Sequence, residues 1–290
     1  MAVFSLLRDT WEPVVNRLER MVRKVAGELP MDTDWSQSVK GSWYVHPRQH
    51  GLELVFLASA FGCAASYFFT KALGPGTVNF KLLSTFVPPM PASWTEKAVL
   101  GSLVTSLGIT LAHKLIRGHA LFMLQPCHMS ALLLISVMSA PEKMISKVLF
   151  NVYLHTQFGG YAALAFPDTR DHRLFLETFN FFAEHILILA APIYMIYSRR
   201  YPVLPPSPSM ALLSFFIYGF FHTPLLHACA LKSGLNLNYL FAPPPVKILV
   251  KLGPHYRPAM YCTALVAMFA TRYLLVGGIM SVLPRKALLM

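Results

Sequence analysis

A cysteine and a histidine lie side by side within a long apolar run, in the stretch LFMLQPCHMSALLL at residues 121–134. Pro126 is favoured at the first position of a helix and disrupts any helix that arrives from 119–125. Cys127 is therefore predicted in a first helical turn, where free backbone N–H groups and the helix dipole stabilise a thiolate. Because the thiolate is the nucleophilic form of cysteine, this stretch indicates covalent catalysis by Cys127.

A nucleophilic cysteine needs a base that takes its proton. His128 is adjacent in sequence but is expected to point about 100° away around the helix, which makes it a doubtful base. A histidine from another helix, His185 or His155, is the better candidate. The alternative is structural, because a neutral histidine that donates to a carbonyl on a neighbouring helix stabilises a bundle. Metal binding is less favoured, since the histidines within the apolar segments lack HxxxH and HExxH spacing.

Several other ionisable residues fall within the apolar segments, where such groups are costly and indicate function. They are His155, Glu184, His185, His222 and His227. Glu184 has an alternative interpretation, in which it points away from a pocket towards an interface or a partner.

The cysteine pattern excludes two kinds of site. Cys63, Cys127, Cys229 and Cys262 are far apart and form no CxxC pair. This spacing indicates neither a disulfide framework nor a zinc site. Three of the four lie in apolar runs and are predicted to be small buried residues, with Cys127 as the exception.

The composition is that of a polytopic membrane protein. Only 13% of the residues are charged and 55% are hydrophobic, whereas soluble domains carry about 25% charged residues. We predict an all-α membrane protein, a bundle of about seven transmembrane helices preceded by an amphipathic N-terminal helix. The apolar segments are 52–73, 98–116, 119–139, 144–166, 179–198, 210–231 and 259–283.

The N-terminal part has a different pattern. An apolar stripe steps by three and four residues through Phe4, Leu7, Trp11, Val14, Leu18, Met21 and Val25. It predicts an amphipathic helix from Pro13 to Leu29 that lies on a membrane surface or on a partner protein. A mitochondrial presequence is a rival interpretation that the acidic residues disfavour. We therefore predict an extramembrane arm at 1–50 and a transmembrane domain at 51–290.

The charge is basic, with 25 Lys and Arg against 13 Asp and Glu. With seven spans, the side that carries the N-terminus holds the larger share of the basic residues. The positive-inside rule then predicts a cytosolic N-terminus, or a matrix N-terminus in a mitochondrial membrane. Nucleic acid is not an expected partner, because no basic run is interleaved with aromatic residues on a polar domain.

A series of short motifs is similar to a known family. They occur in the order QPCH at 125–128, His155, ALAFP at 163–167, Glu177, EHILILAAPIY at 184–194, FFH at 220–222, LNLN at 235–238 and GPHYR at 253–257. Over about 114–257 the chain resembles the transmembrane protein 164 family, membrane-embedded acyltransferases that remodel ether phospholipids through a cysteine acyl-enzyme. Gln125 stands where that family has asparagine.

The resemblance implies a function and a set of site residues. Cys127 becomes the acyl-accepting nucleophile and His185 its general base, with no cofactor and no metal. The residues implied to support the base or bind lipid are His128, His155, Glu177, His222, Asn236, Asn238, Tyr256 and Arg257. The backbone N–H groups of Cys127 and His128 are candidate oxyanion donors.

Two functions of different classes stay open. The first is an acyltransferase of an endomembrane that moves a fatty acyl chain from a phospholipid to a lysophospholipid. The second is a catalytically silent, lipid-binding accessory subunit of a large complex in the mitochondrial inner membrane, a respiratory complex or ATP synthase, with partner subunits bound through the 1–50 arm. A transporter is a third hypothesis, but the sequence contains no inverted repeat that would support it.

Overall fold

The computed structural model describes residues 2–26, 43–169 and 172–282. These residues form helices and connecting turns without any β-strand, so the all-α prediction is confirmed. Two compact units are present. The first comprises residues up to 64 together with 216–263, and the second comprises 65–215 together with the residues from 264 onward.

The first unit begins with an amphipathic helix that packs on the next one. Helix α1 spans Ala2–Val25 and α2 spans Pro47–Leu73. Gly51 allows a close approach, because a Cβ there would lie 2.9 Å from Cβ of Leu18. Arg48 and Glu12 add a 2.7 Å ion pair between the two helices.

Helix α1 differs from the prediction at both ends. It begins at Ala2 rather than at Pro13, and Pro13 lies inside it. The apolar stripe continues on both sides of this proline, so α1 forms despite the hydrogen bond that proline removes. The predicted end at Leu29 lies outside the described residues. Val14 and Met21 of the stripe are exposed, as is typical of a helix that lies on a membrane surface.

The second unit begins with a short helix and a long one. Helix α3, Val78–Thr85, lies between Pro75 and the prolines at 88, 89 and 91, and α4 spans Trp94–Ile116. The buried Lys147 donates to the carbonyl oxygens of Leu83 (2.9 Å) and Phe86 (2.6 Å) at the end of α3. A cation at this position interacts favourably with the negative end of the helix dipole.

The next two predicted segments are not single long helices. Helix α5, Pro126–Ser139, begins at the proline as predicted and follows a 3₁₀ turn at Ala120–Leu124. Segment 144–166 is divided into α6, Met144–Thr156, and α7, Phe158–Ala165. Prolines and glycines are poor residues for a helix interior, and Pro126 and the pair at 159–160 stand beside these breaks.

The remaining helices contain two wide turns. Helix α8 is Glu177–Ser198, α9 is Pro208–Phe220, α10 is His227–Ser233, α11 is Lys247–Lys251, α12 is Tyr256–Ala270 and α13 is Gly277–Val282. A π-helical turn at Phe221–Leu226 joins α9 to α10, and another at Thr271–Val276 joins α12 to α13. Such turns are rare in proteins, and those that occur are often found at functional sites.

Five helices of the described chain are long and apolar enough to cross a membrane. They are Pro47–Leu73, Trp94–Ile116, Glu177–Ser198, Pro208–Ser233 and Gly253–Val282. The protein is therefore an all-helical membrane protein, while the count of seven spans is not confirmed. The difference comes from the two interrupted segments, since α5 to α7 are each shorter than about 17 residues.

Helices α4, α5 and α8 pack on one another in the second unit, around a core of fully buried side chains. These include Leu103, Leu134, Phe150, Leu154, Ile188 and Met195. Cys127 is partly buried and packs against this core. The start of α5 is thereby held against α8, the helix that contributes His185 and Glu184.

Candidate active site

Cys127 lies in the first turn of α5, directly after the proline that begins the helix. Gln125, the residue before the helix, is extended and gives no side-chain cap. The first N–H groups of an α-helix have no acceptor within the helix. The sequence prediction of a thiol beside free backbone donors is therefore met by the local backbone.

His185 reaches the thiol from α8. Its Nδ1 lies 2.7 Å from the carbonyl oxygen of Phe181, one turn earlier, so Nδ1 carries the hydrogen and donates it. The ring lies close enough to Cys127 to interact with its thiol. Nε2, which has a free lone pair in this tautomer, is the nitrogen left to accept the thiol proton.

His128 is also part of the site, although its ring was expected to point away from the thiol. Its Nδ1 lies 2.6 Å from Oε1 of Glu184 and 3.7 Å from Sγ of Cys127. A nitrogen that donates to a carboxylate cannot also accept a proton from a thiol. His128 is thus close to the sulfur without being its base.

Glu184 connects this pair to a buried chain of polar side chains between α4 and α8. Its Oε2 accepts a 2.5 Å hydrogen bond from Thr110, whose oxygen in turn accepts from the Asn180 amide at 2.8 Å. Asn180 exchanges two bonds with Ser106, one to its backbone oxygen at 3.0 Å and one from its hydroxyl at 2.9 Å. All four side chains are buried.

Sequence reasoning did not assign Thr110 and Asn180, and it noted Glu184 without giving it a role. A signal was present, because Ser106 and Thr110 are four residues apart, as are Asn180 and Glu184. Residues at this spacing lie on one face of a helix. Two such polar pairs in apolar helices indicate facing partners.

An open groove of about 410 Å³ runs along the same two helices. Its lining consists mostly of small side chains, and it includes Ser106 and Asn180 of the polar chain. Within the described residues no group of three His, Cys, Asp or Glu side chains is arranged to hold a metal ion.

Comparison with known proteins decides the family. Residues 45–276 match the TMEM164 family. The chain belongs to this family. It is 26% identical over 207 residues to the Transmembrane protein 164 homolog of Dictyostelium discoideum, across 70% of this chain and 74% of the homolog. No solved structure matches the chain.

The TMEM164 match extends well beyond the region of resemblance that the motifs indicated, which was about 114–257. It begins at residue 45 and ends at residue 276. It therefore includes α2, whose first turns were assigned to an extramembrane arm.

Two further predicted site residues of the TMEM164 region lie in the second unit in structural positions. His155 donates from Nδ1 to the carbonyl oxygen of Asn151 at 2.8 Å, and its Nε2 is buried without a hydrogen-bond partner in the described structure. Glu177 accepts from the backbone N–H groups of Arg173 and Leu174 and pairs with Arg117 at 3.3 Å. Glu177 therefore holds the turn that precedes α8.

The other predicted residues belong to the first unit, where Arg257 lies at the centre of a polar cluster. Its Nε is 3.0 Å from Oε2 of Glu53, and its Nη1 donates to His50 (3.2 Å) and to the Leu240 carbonyl (2.9 Å). His227 is 2.6 Å from His50. Sequence reasoning missed His50 and Glu53, which stand at the boundary assigned to the arm.

Four more predicted residues surround this cluster and hold backbone segments. Tyr256 donates to the carbonyl oxygen of Tyr239 at 2.6 Å, and His222 bonds Tyr261 at 2.7 Å. Asn236 accepts from the backbone N–H groups of Phe241 and Ala242. Asn238 has a φ of 46°, a left-handed conformation that asparagine tolerates better than most residues. These contacts position the 236–242 loop.

Proposed function

We propose that the protein is a membrane-embedded acyltransferase that moves a fatty acyl chain from a phospholipid to a lysophospholipid through a thioester on Cys127. One observation carries this proposal. The Cys127 thiol, in the first turn of a helix, lies beside His185, whose Nδ1 donates to the carbonyl oxygen of Phe181. A nucleophile, a base and a group that orients the base constitute the arrangement that covalent acyl transfer requires.

In the first half-reaction Cys127 attacks the carbonyl carbon of a phospholipid acyl ester. The thiol proton passes to Nε2 of His185, and a C–S bond forms. When the tetrahedral intermediate collapses, the ester C–O bond breaks, and His185 returns the proton to the departing oxygen. The products are an acyl thioester on Cys127 and a lysophospholipid.

In the second half-reaction a lysophospholipid hydroxyl attacks the thioester carbon. His185 accepts the hydroxyl proton, a C–O bond forms and the C–S bond breaks. The proton returns to the sulfur, which regenerates the thiol. No oxidant, reductant or nucleotide is consumed, so the exchange needs only the two lipids.

Both tetrahedral intermediates carry a negative oxygen that needs hydrogen-bond donors. The backbone N–H groups of Cys127 and His128 belong to the first turn of α5 and are the nearest candidates. They point along the helix axis away from the helix, on the side where the dipole is positive. The same turn thus provides the nucleophile and these donors.

The substrates and the location follow from this proposal. An integral membrane protein with a thiol among apolar helices meets its lipid substrates within the bilayer. The corresponding location is an endomembrane with a cytosolic N-terminus, the orientation that the basic residues favour. The mitochondrial inner membrane belongs to the competing hypothesis of a silent accessory subunit.

The test is intact-protein mass spectrometry of the full-length protein after incubation with vesicles of phosphatidylcholine and phosphatidylethanolamine. Albumin in the buffer removes the released lysophospholipid and so prevents the reverse reaction. We expect a hydroxylamine-sensitive acyl adduct on the wild type and none on Cys127→Ala. Cys229→Ala is the matched control, because Cys229 is also a partly buried cysteine, and its adduct should equal that of the wild type.

Two results would contradict the proposal. An adduct that persists in Cys127→Ala would place the acylated residue elsewhere. Absence of any adduct on a folded wild type, with the protein isolated in a large membrane assembly, would favour the lipid-binding accessory subunit.

A further inference from the structure

We propose that Glu184 holds His128 as a positive charge beside the Cys127 sulfur, and that Thr110 and Asn180 are positioning residues that hold Glu184. This inference rests on the proposed acyltransfer and divides the work of its two histidines. His185 moves the proton, whereas His128 stabilises the negative sulfur.

Nδ1 of His128 carries a single hydrogen and has two neighbours that could accept it. This nitrogen faces both Oε1 of Glu184 at 2.6 Å and Sγ of Cys127 at 3.7 Å. The shorter contact is a full hydrogen bond to a carboxylate, so the hydrogen belongs there. What the sulfur meets is therefore the edge of a ring that carries an N–H group, not a lone pair that can accept its proton.

The hydrogen bonds that end at Glu184 all donate towards its carboxylate. The amide nitrogen of Asn180 can only donate, and it donates to the oxygen of Thr110. The Thr110 hydroxyl is then free to donate its own hydrogen to Oε2 of Glu184. Because both carboxylate oxygens receive donors, the arrangement fits an ionised carboxylate.

The buried carboxylate of Glu184 requires a positive partner. Glu184 is only 1% exposed, and a buried carboxylate is stable only when it is paired and hydrogen-bonded. The basic group that contacts Glu184 is His128, at 2.6 Å, and its protonated form completes an ion pair with the carboxylate. An imidazolium held in this way places its positive charge next to the sulfur.

The charged and titratable groups that face Cys127 come from two helices. They are His128 on α5 and Glu184 and His185 on α8. A positive group close to a thiol favours the thiolate, and here that group is fixed by Glu184, which is itself buried. Glu184 therefore acts on the reaction through His128.

The test measures thiol reactivity and needs no lipid. Full-length protein in detergent micelles is treated with iodoacetamide at a series of pH values, and alkylation of Cys127 is followed by peptide mass spectrometry. We expect Glu184→Gln to slow alkylation at neutral pH about tenfold and to move the midpoint of the pH profile upward. Glu142→Gln, which removes an exposed carboxylate just after α5, is the matched control and should leave the profile unchanged.

A second pair of variants separates a cation from a proton acceptor at position 128. His128→Lys keeps a positive charge beside Glu184, so its alkylation rate should stay within about threefold of the wild type. His128→Gln removes the charge and should be as slow as Glu184→Gln. Thermal melting of each variant confirms that the protein is folded.

Two outcomes would overturn the inference. One is an unchanged pH profile in Glu184→Gln. The other is a His128→Lys rate as low as that of His128→Gln at equal melting temperature. If Glu184→Gln does not fold, Glu184→Asp, which keeps the charge, and His128→Lys decide the question.

A failure of the proposed function would give a different pattern of results from a failure of this inference. The acyl adduct would then be absent from the wild type, while the alkylation differences between the variants would remain.

Discussion

The Thr110 hydroxyl donates a 2.5 Å hydrogen bond to Oε2 of Glu184, and the two residues belong to different apolar helices, α4 and α8. A buried acceptor that loses its donor costs about 1–3 kcal/mol. We expect Thr110→Val, which keeps the shape of the side chain, to lower the free energy of unfolding by this amount. Denaturation of the detergent-solubilised protein measures the change.

Thr105→Val is the control for this prediction. Thr105 lies on the same helix but is exposed on the groove. The substitution is identical, so β-branching and helix propensity cancel between the two variants. Equal stability of Thr110→Val and Thr105→Val would mean that the bond to Glu184 contributes nothing.

The second prediction concerns the buried ion pair of Arg257 and Glu53. Arg257 is 2% exposed, and removal of one partner from a buried pair costs about 3–5 kcal/mol because the other charge stays uncompensated. We expect Arg257→Met to lower the free energy of unfolding on this scale. The double variant Arg257→Met with Glu53→Leu should recover part of the loss. A double variant that is as unstable as the sum of the two single variants would refute a coupled pair.

The third prediction concerns the attachment of α1 to α2. A Cβ at Gly51 would meet the Cβ and backbone of Leu18 at 2.9 Å and 3.2 Å. Gly51→Val should therefore push α1 away and raise hydrogen exchange of the amides at 11–25. Gly108→Val is the matched control, because a Cβ at Gly108 has open space around it. Slow exchange in both variants would show that α1 does not depend on this contact.

The fourth prediction concerns Tyr201, which lies in the turn after α8. Its hydroxyl donates to Oε1 of Glu96 at 2.6 Å, and the second oxygen of Glu96 pairs with Arg200 at 2.7 Å. Burial, followed by the hydrogen bond to Glu96, raises the pKa of Tyr201 above its ordinary value. The stability that this bond contributes is present below about pH 10 and is lost as pH rises through the raised pKa.

Absorbance of tyrosinate in an alkaline titration checks this sign. The difference between the wild type and Tyr201→Phe should show a tyrosinate signal only above the ordinary tyrosine midpoint. The stability difference between the two proteins should be constant from neutral pH to about pH 10 and should fall at higher pH. A tyrosinate signal that appears at the ordinary midpoint would contradict the raised pKa.

Much of the site's local structure could be predicted from the residues alone. Pro126 begins α5, and Cys127 lies in its first turn, because a proline defines the start of a helix through its own ring and missing N–H. A histidine from another apolar helix, His185 or His155, was expected as the base, the family resemblance implied His185, and it is His185 that interacts with the thiol. Its catalytic role stays a prediction.

The number of spans was harder to predict from the sequence. Hydropathy does not distinguish one long helix from two short ones when both are apolar, so segment 144–166 was assigned as a single span although it is divided at Gln157. The start of α1 was placed at Pro13 for a related reason. A proline marks a probable boundary, yet here the helix continues through it.

The amino-acid sequence by itself determined the chemical groups and their positions along each helix, because helical periodicity and the geometry of proline act within a few residues. The sequence was therefore sufficient to predict a membrane protein in which Cys127 lies at the start of a helix. Only the tertiary structure decided that His128 bonds Glu184 and that Thr110 and Asn180 support this carboxylate. Those contacts depend on how α4, α5 and α8 are rotated and how far they are shifted along one another. Packing between residues that are far apart in the chain sets both quantities.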